Sequence, residues 1–206
     1  MYVDSILIIL VYVSILVELT ILHVPSVAST FQLFHYSDTT KDGPLMKRVK
    51  SWPLWIKSII LFVPTAISVG LYILPLLIVF YPDSKLWIDV RSTGSFIHVV
   101  GWVVVFAGRF LAMFSVFQIR KANSQTNNEF SLKTQGWFSF SRNPILIGMY
   151  ITYFGWLILF PNLMMTIGFI IYFANMHFRI LLEEDFLNQK FGKQFTGYLK
   201  QTRRYL

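Results

Sequence analysis

Apolar residues fall into five long runs separated by short polar stretches. The first spans Ser5 to Val24 and carries one charge, Glu18. The second spans Pro53 to Phe80, with Lys57 near its start and Pro64 and Pro75 inside. The third spans Gly94 to Ile119 and contains Arg109, and the fourth and fifth cover Pro144 to Phe160 and Leu163 to Phe178. A bilayer core needs about 20 mostly apolar residues per helix, and each run meets or approaches that length. The pattern predicts one all-α membrane domain with five transmembrane helices and a cytoplasmic helical tail over 179–206. Pro161-Asn162 is a turn signal, so the last two spans read as a tight hairpin. Prolines inside a span are tolerated where neighbours satisfy the freed carbonyls, and kinks are expected near Pro64 and Pro75.

Composition excludes other classes. Hydrophobic residues make up 55% of the 206 residues and charged residues 14%. A soluble domain carries roughly 25% charged residues, and this chain has too few to cover a globule in water. There is no cysteine, which removes disulfides, thiol nucleophiles and thiolate metal sites. The net charge is +8. On so apolar a chain that charge points to loops facing anionic lipid, not to nucleic acid.

Lysine and arginine set the expected orientation. The loop from Pro25 to Trp52 holds Lys41, Lys47, Arg48 and Lys50, and the loop from Arg120 to Asn143 holds Arg120, Lys121, Lys133 and Arg142. The tail holds Arg179, Lys190, Lys193, Lys200, Arg203 and Arg204, while the opposite face has Lys85 and Arg91. This predicts an outside N-terminus and a cytoplasmic C-terminus. Met1-Tyr2-Val3-Asp4 lacks the positive start of a cleaved signal peptide, so the first run is expected to remain as a span. The stretch from Thr39 to Pro44 is the expected flexible segment.

Candidate chemistry lies around the last two spans. No G-x-G-x-x-G, Walker loop, H-E-x-x-H or G-x-S-x-G is present. His23, His35, His98 and His177 have no metal-ligand spacing, and no metal site is expected. Gly136 opens a loop through Phe138 to Arg142-Asn143-Pro144, with Pro144 at the first turn of the fourth span. Arg142 and Asn143 then stand at a helix N-terminus, where an anion is attracted; Arg142 reads equally as an anion grip or as an arginine snorkelling at the membrane surface. Glu183-Glu184-Asp185 directly follows the fifth span, either to bind a cation or as a solvated helix exit. Aromatic and basic residues alternate from Phe191 to Tyr205, which reads as a segment lying on anionic lipid. Arg109, ionisable within a span, is a functional candidate or the partner of Glu18.

Taken together, these features resemble the integral-membrane methyltransferases, namely isoprenylcysteine carboxyl methyltransferase and its relatives, with the phospholipid methyltransferases further off. The matching residues are Gly136, Phe138, Arg142, Pro144, Gly148, Glu183, Glu184, Leu187, Phe191, Gly192, Tyr198 and Arg204, in the family's order, over roughly the half of the chain from Gly101 on. Departures are Asn143 for a frequent His, Leu146 and Phe195 for Tyr, Trp137 for Pro or Val, and Phe130 for His. The resemblance implies an S-adenosylmethionine pocket on the cytoplasmic side. It implies Arg142 and Glu184 as the catalytic residues, with Arg142 pairing with the cofactor carboxylate, Glu183 or Glu184 with its ammonium, Tyr198 and Arg204 as a lid over the adenosine, and Gly136, Phe138, Asn143, Pro144 and Gly148 completing the cofactor site. It implies a lipophilic acceptor, such as an isoprenylcysteine carboxylate or another lipid-like molecule, entering from the surrounding membrane lipids, and a monomer with no nucleic-acid partner. A nicotinamide-dependent membrane reductase and a non-enzymatic scaffold remain as alternatives. The reductase pattern has Asn, Tyr and Glu after the proline, where this chain has Ile145-Leu146-Ile147-Gly148-Met149.

Overall fold

The computed structural model describes residues 2–22, 43–81, 94–125 and 132–206. Among them every regular element is helical. In chain order these are α1 (Tyr2–Leu22), α2 (Pro44–Lys50), α3 (Leu54–Phe80), α4 (Ser95–Gln125), the single turn α5 (Trp137–Phe140), α6 (Pro144–Leu159), α7 (Leu163–Phe191) and α8 (Lys193–Gln201). His23, His35, most of the expected flexible stretch, Lys41, Lys85, Arg91 and Phe130 lie outside the described residues.

Among the described residues, three helices are long and apolar enough to cross a membrane: α3, α4 over Ser95–Lys121, and α7. The five expected runs all form helix, but α6 has only 16 residues, about 24 Å at 1.5 Å per residue, against a hydrocarbon core of roughly 30 Å. Conversely, α7 continues 13 residues past the expected end of its span, through the acidic triplet to Phe191. A helix does not have to stop where the bilayer does, and at 29 residues its last third projects beyond about 30 Å of hydrocarbon. Three residues separate α6 from α7, and the Asn162 side chain accepts from the Met165 N–H to cap α7.

The core is built around α6. Thr152, Tyr153 and Trp156 are fully buried, and Leu146, Leu159 and Phe160 join a cluster with Ile8, Val11, Leu74, Trp102, Met165 and Tyr172. The α4–α6 contact is close because glycines line it. A Cβ at Gly148 would stand 2.6 Å from the Ala112 nitrogen and the Gly108 carbonyl, and one at Gly155 would stand 2.7 Å from the Val105 nitrogen. Small residues allow such backbone approach, which drives helix association where no water is left to expel.

A wider π-helical turn, Ser58–Phe62, precedes Pro64, and Pro75 lies inside α3. Pro75 offers no N–H to the Leu71 carbonyl, and on the same turn the Tyr12 hydroxyl donates to the Tyr72 carbonyl. Arg109 is the partner of Glu18: its Nη2 stands 2.5 Å from Glu18 Oε2 and its Nε donates to Ser14 Oγ at 2.9 Å. Both ions are buried, so the pair ties α1 to α4 within the apolar bundle.

Candidate functional site

Parts of the basic stretches from different regions gather at one end of the bundle. Helix α2 docks on α7 where Val49 and Leu182 cluster with Leu61 of α3, and the Asp185 carboxylate accepts from the Met46 N–H to cap α2 at 2.9 Å. Gly43 is buried here, and a Cβ on it would meet that carboxylate at 2.3 Å. The third acid of the triplet therefore holds a helix and is not part of the cleft described below.

The loop into α6 is shaped by Gly136, whose φ of +66° suits glycine. A Cβ there would also strike the Gln118 amide, and Gln118 Oε1 accepts from the Trp137 N–H at 3.2 Å. The turn α5 buries Phe138 and presents its carbonyl to the Tyr198 hydroxyl at 2.5 Å. Burial pushes the Tyr198 hydroxyl up to about 12, so it remains a donor at neutral pH.

Chain continuity then delivers Ser141, Arg142 and Asn143 against the C-terminal residues. The Arg142 N–H donates to the Arg203 carbonyl at 2.9 Å, and Ser141 pairs with Arg203 as an isolated parallel bridge. Ser141 Oγ and Asn143 Nδ2 both donate to the Arg204 carbonyl, at 3.2 and 3.0 Å. Tyr205 completes this strap over 202–205. Its hydroxyl meets His177 Nδ1 at 2.7 Å, and its ring stacks on Phe173 and His177 beside Tyr150.

Glu184 is the hub. Arg142 reaches its Oε1 with Nε at 3.1 Å and Nη2 at 2.9 Å, while Arg204 reaches Oε1 with Nε at 3.1 Å and Oε2 with Nη2 at 2.7 Å. Arg142 Nη1 donates to the carbonyls of Thr202 and Leu199. Burial pushes the Glu184 carboxyl up, but the hydrogen bonds and charges of Arg204 and Arg142 outweigh it and hold the group below its ordinary 4.5. The expected signature residues Arg142, Glu184 and Arg204 thus meet in one cluster, and each charge in it is answered from within the chain.

Beside the hub lies a cleft of about 130 Å³. Phe138, Arg142, Asn143, Glu183, Glu184 and Tyr198 of the expected site line it, with Ile119, Ile180 and Leu187 as apolar wall. Lys133 and Phe195 also line it, and neither was singled out as a site residue from the sequence. Phe195 and Tyr198 are the apolar side of α8, and the structure turns that side inward to the cleft. Gly136, Pro144, Gly148 and Arg204 are not among the lining residues. Gly136 shapes the loop, Pro144 starts α6, Gly148 faces α4, and Arg204 reaches the cleft through Glu184. Glu183 is exposed and has neither a hydrogen-bond nor an ion-pair partner among the described residues. The cleft therefore offers one unanswered acid, one lysine, an amide and three buried aromatic rings, Phe138, Phe195 and Tyr198. No group of three metal-ligand side chains occurs among the described residues.

Residues 96–194, just under half of the chain, match the family model of the phospholipid methyltransferases, a family of membrane methyltransferases related to the isoprenylcysteine carboxyl methyltransferases. The resemblance carried by Arg142, Pro144, Gly148, Glu183 and Glu184 is borne out over that region. No curated protein and no solved structure matches the chain.

Proposed function

We propose that this chain, matched over residues 96–194 to the phospholipid methyltransferases, transfers a methyl group from S-adenosylmethionine to a lipophilic acceptor at the cytoplasmic membrane face. The observation that carries the reading is the cleft between Arg142-Asn143, the acidic pair of α7 and the inward side of α8. Its polar groups suit a molecule that bears a carboxylate, an ammonium and an adenosine. Glu183 meets the ammonium, Asn143 hydrogen-bonds the amino-acid part or the ribose, and Phe138 and Tyr198 pack on the adenosine.

When bound, the cofactor supplies a methyl already activated by its sulfonium. The residues of the chain have to bind, orient and keep water out. Arg142 and Glu184 act here by fixing the wall of the site: their mutual bonds pin α7, the loop into α6 and the strap in one arrangement. A cleft of about 130 Å³ is smaller than the roughly 300–1,000 Å³ of small-molecule sites. Admission of the nucleoside therefore requires the strap or α8 to move outward. The acceptor enters between helices from the bilayer, since the α6 side of the site is at membrane depth.

Orientation follows from the same end of the bundle. Lys47, Arg48, Lys121, Lys193 and Arg203 are exposed there, and cytoplasmic faces carry such excess. The N-terminus of α1 is then outside, α1 and α6 complete five crossings with α3, α4 and α7, and α6–α7 forms a hairpin. The protein acts as a monomer. The test is calorimetric titration of the detergent-purified protein with S-adenosylhomocysteine, alongside NADPH. Micromolar binding of the first alone supports the reading; no binding to folded protein overturns it.

A further inference from the structure

Helix α8 has two faces of opposite chemistry. Phe195 and Tyr198 are buried and line the cleft, and the Tyr198 hydroxyl donates to the Phe138 carbonyl. Lys193 and Lys200 stand seven positions apart, about two turns, so they share one face of the helix, opposite the two rings. Both lysines are exposed, and only the small residues Thr196 and Gly197 stand between them on that face. An amphipathic segment lying in lipid buries its apolar side there. Here the cleft takes up that side, and the side left for a membrane surface is the charged one.

The strap extends this charge. The Arg203 carbonyl accepts from the Arg142 N–H on the inner side, while the Arg203 side chain is exposed. No acid follows Asp185 in the chain, and Lys193, Lys200 and Arg203 have no ion-pair partner among the described residues. Three cations without counter-charges therefore stand on the outer side of the elements whose inner side closes the cleft. The joint leading into α8 is Gly192, at φ +50° with nothing within 4 Å of a would-be Cβ. Glycine adopts that conformation freely, and no packed neighbour holds the joint in place.

We infer that the outer face of α8 and the strap is a docking surface for the anionic headgroups of the adjoining lipid leaflet, and that docking draws α8 away from the cleft and opens it. Charge complementarity selects the partner, because an anionic leaflet attracts clustered lysine and arginine lying within a Debye length of it. A neutral leaflet leaves the three cations in water and the two rings packed inward. The consequence for the cofactor rests on the S-adenosylmethionine reading above, since the cleft is too small for a nucleoside until this wall moves.

The test uses the full-length protein in lipid discs of phosphatidylcholine, alone or with about one-third phosphatidylglycerol, an anionic lipid of the kind such patches attract. The chain has no cysteine, so Leu187→Cys on the cleft wall gives a single thiol whose reaction with neutral N-ethylmaleimide reports opening. Anionic discs should speed its alkylation by about fivefold or more, the worth of one surface cation at an anionic leaflet. Lys193→Gln, Lys200→Gln and Arg203→Gln combined should abolish the acceleration, and Lys193→Arg with Lys200→Arg should keep it. S-adenosylhomocysteine affinity should follow the same pattern. Equal alkylation rates in the two discs overturn the inference, as does an acceleration that survives the three glutamines. Acceleration by soluble glycerol phosphate in neutral discs also overturns it, since a free anion would then be the partner. Lipid-dependent alkylation without any S-adenosylhomocysteine binding upholds the docking surface and overturns the cofactor reading alone.

Discussion

Arg142 and Glu184 lie 42 residues apart in sequence and are joined by two hydrogen bonds, at 3.1 and 2.9 Å, through Oε1 alone. The second carboxylate oxygen is left for Arg204. Sharing one carboxylate between a helix-leading loop and a C-terminal strap couples the two, so neither can leave without exposing the other's charge.

Glu184→Ala should therefore destabilise the fold by about 2–4 kcal/mol, because it strands the largely buried Arg142 guanidinium and frees the partly exposed one of Arg204. Glu183→Ala, one residue away, removes an exposed carboxylate with no partner among the described residues and should leave the melting midpoint nearly unchanged. Thermal unfolding of both variants in one detergent checks this. Equal midpoints for the two would show that the Glu184 hub adds no stability.

The same hub sets an acid limb. The Glu184 carboxyl titrates lower in the folded protein than its ordinary 4.5. A depressed carboxylate contributes stability that is fully present above the unfolded value and is lost as pH falls through the folded one. The midpoint difference between wild type and Glu184→Gln should stay constant from pH 7 to about pH 5 and shrink below it. A difference that does not change with pH down to the acid limit would mean that Glu184 is not ionised in the cluster.

Glu18 and Arg109 form a second buried pair, at 2.5 Å, inside the bundle. Removing one partner of such a pair leaves an uncompensated charge, at about 3–5 kcal/mol. Glu18→Leu and Arg109→Met should each lower the midpoint strongly, and the double variant should lose less than the sum of the two. Additive losses would show that the ions act independently. The double variant also bears on Arg109 as a functional candidate: methyl transfer that survives it assigns the pair to holding α1.

The sequence made some of these relationships legible and hid others for a physical reason. Apolar runs mark the helices because lipid requires them, Pro144 marks the start of α6, and the turn at Pro161-Asn162 marks its end. Glu18 and Arg109 could be paired on paper because they are the acid and arginine within the spans. The strap left no such trace. Its contacts with Ser141, Arg142 and Asn143 run largely through backbone carbonyls of Arg203 and Arg204, and a carbonyl is common to every residue type. Asp185 reads as part of an acidic triplet, yet its partner is the N–H of Met46, 139 residues away. Lys133 went unmarked because a lone lysine in a loop has no spacing to give it away.

Gly148 separates motif from geometry. It stands in the Arg-x-Pro signature, but the structure turns it toward α4, where a Cβ would stand 2.6 Å from backbone atoms of Gly108 and Ala112. Gly148→Ala should force the helices apart and destabilise by about 1–3 kcal/mol. Gly70→Ala is the matched control: it is an exposed helical glycine with nothing within 4 Å of its would-be Cβ. There the substitution should leave the midpoint unchanged or raise it, since alanine is the better helix former by about 0.5–1 kcal/mol. If Gly148→Ala keeps the wild-type midpoint but loses S-adenosylhomocysteine binding, the glycine serves the cofactor. If it loses midpoint and retains affinity in the folded fraction, it serves the α4–α6 contact, which is the outcome the geometry supports.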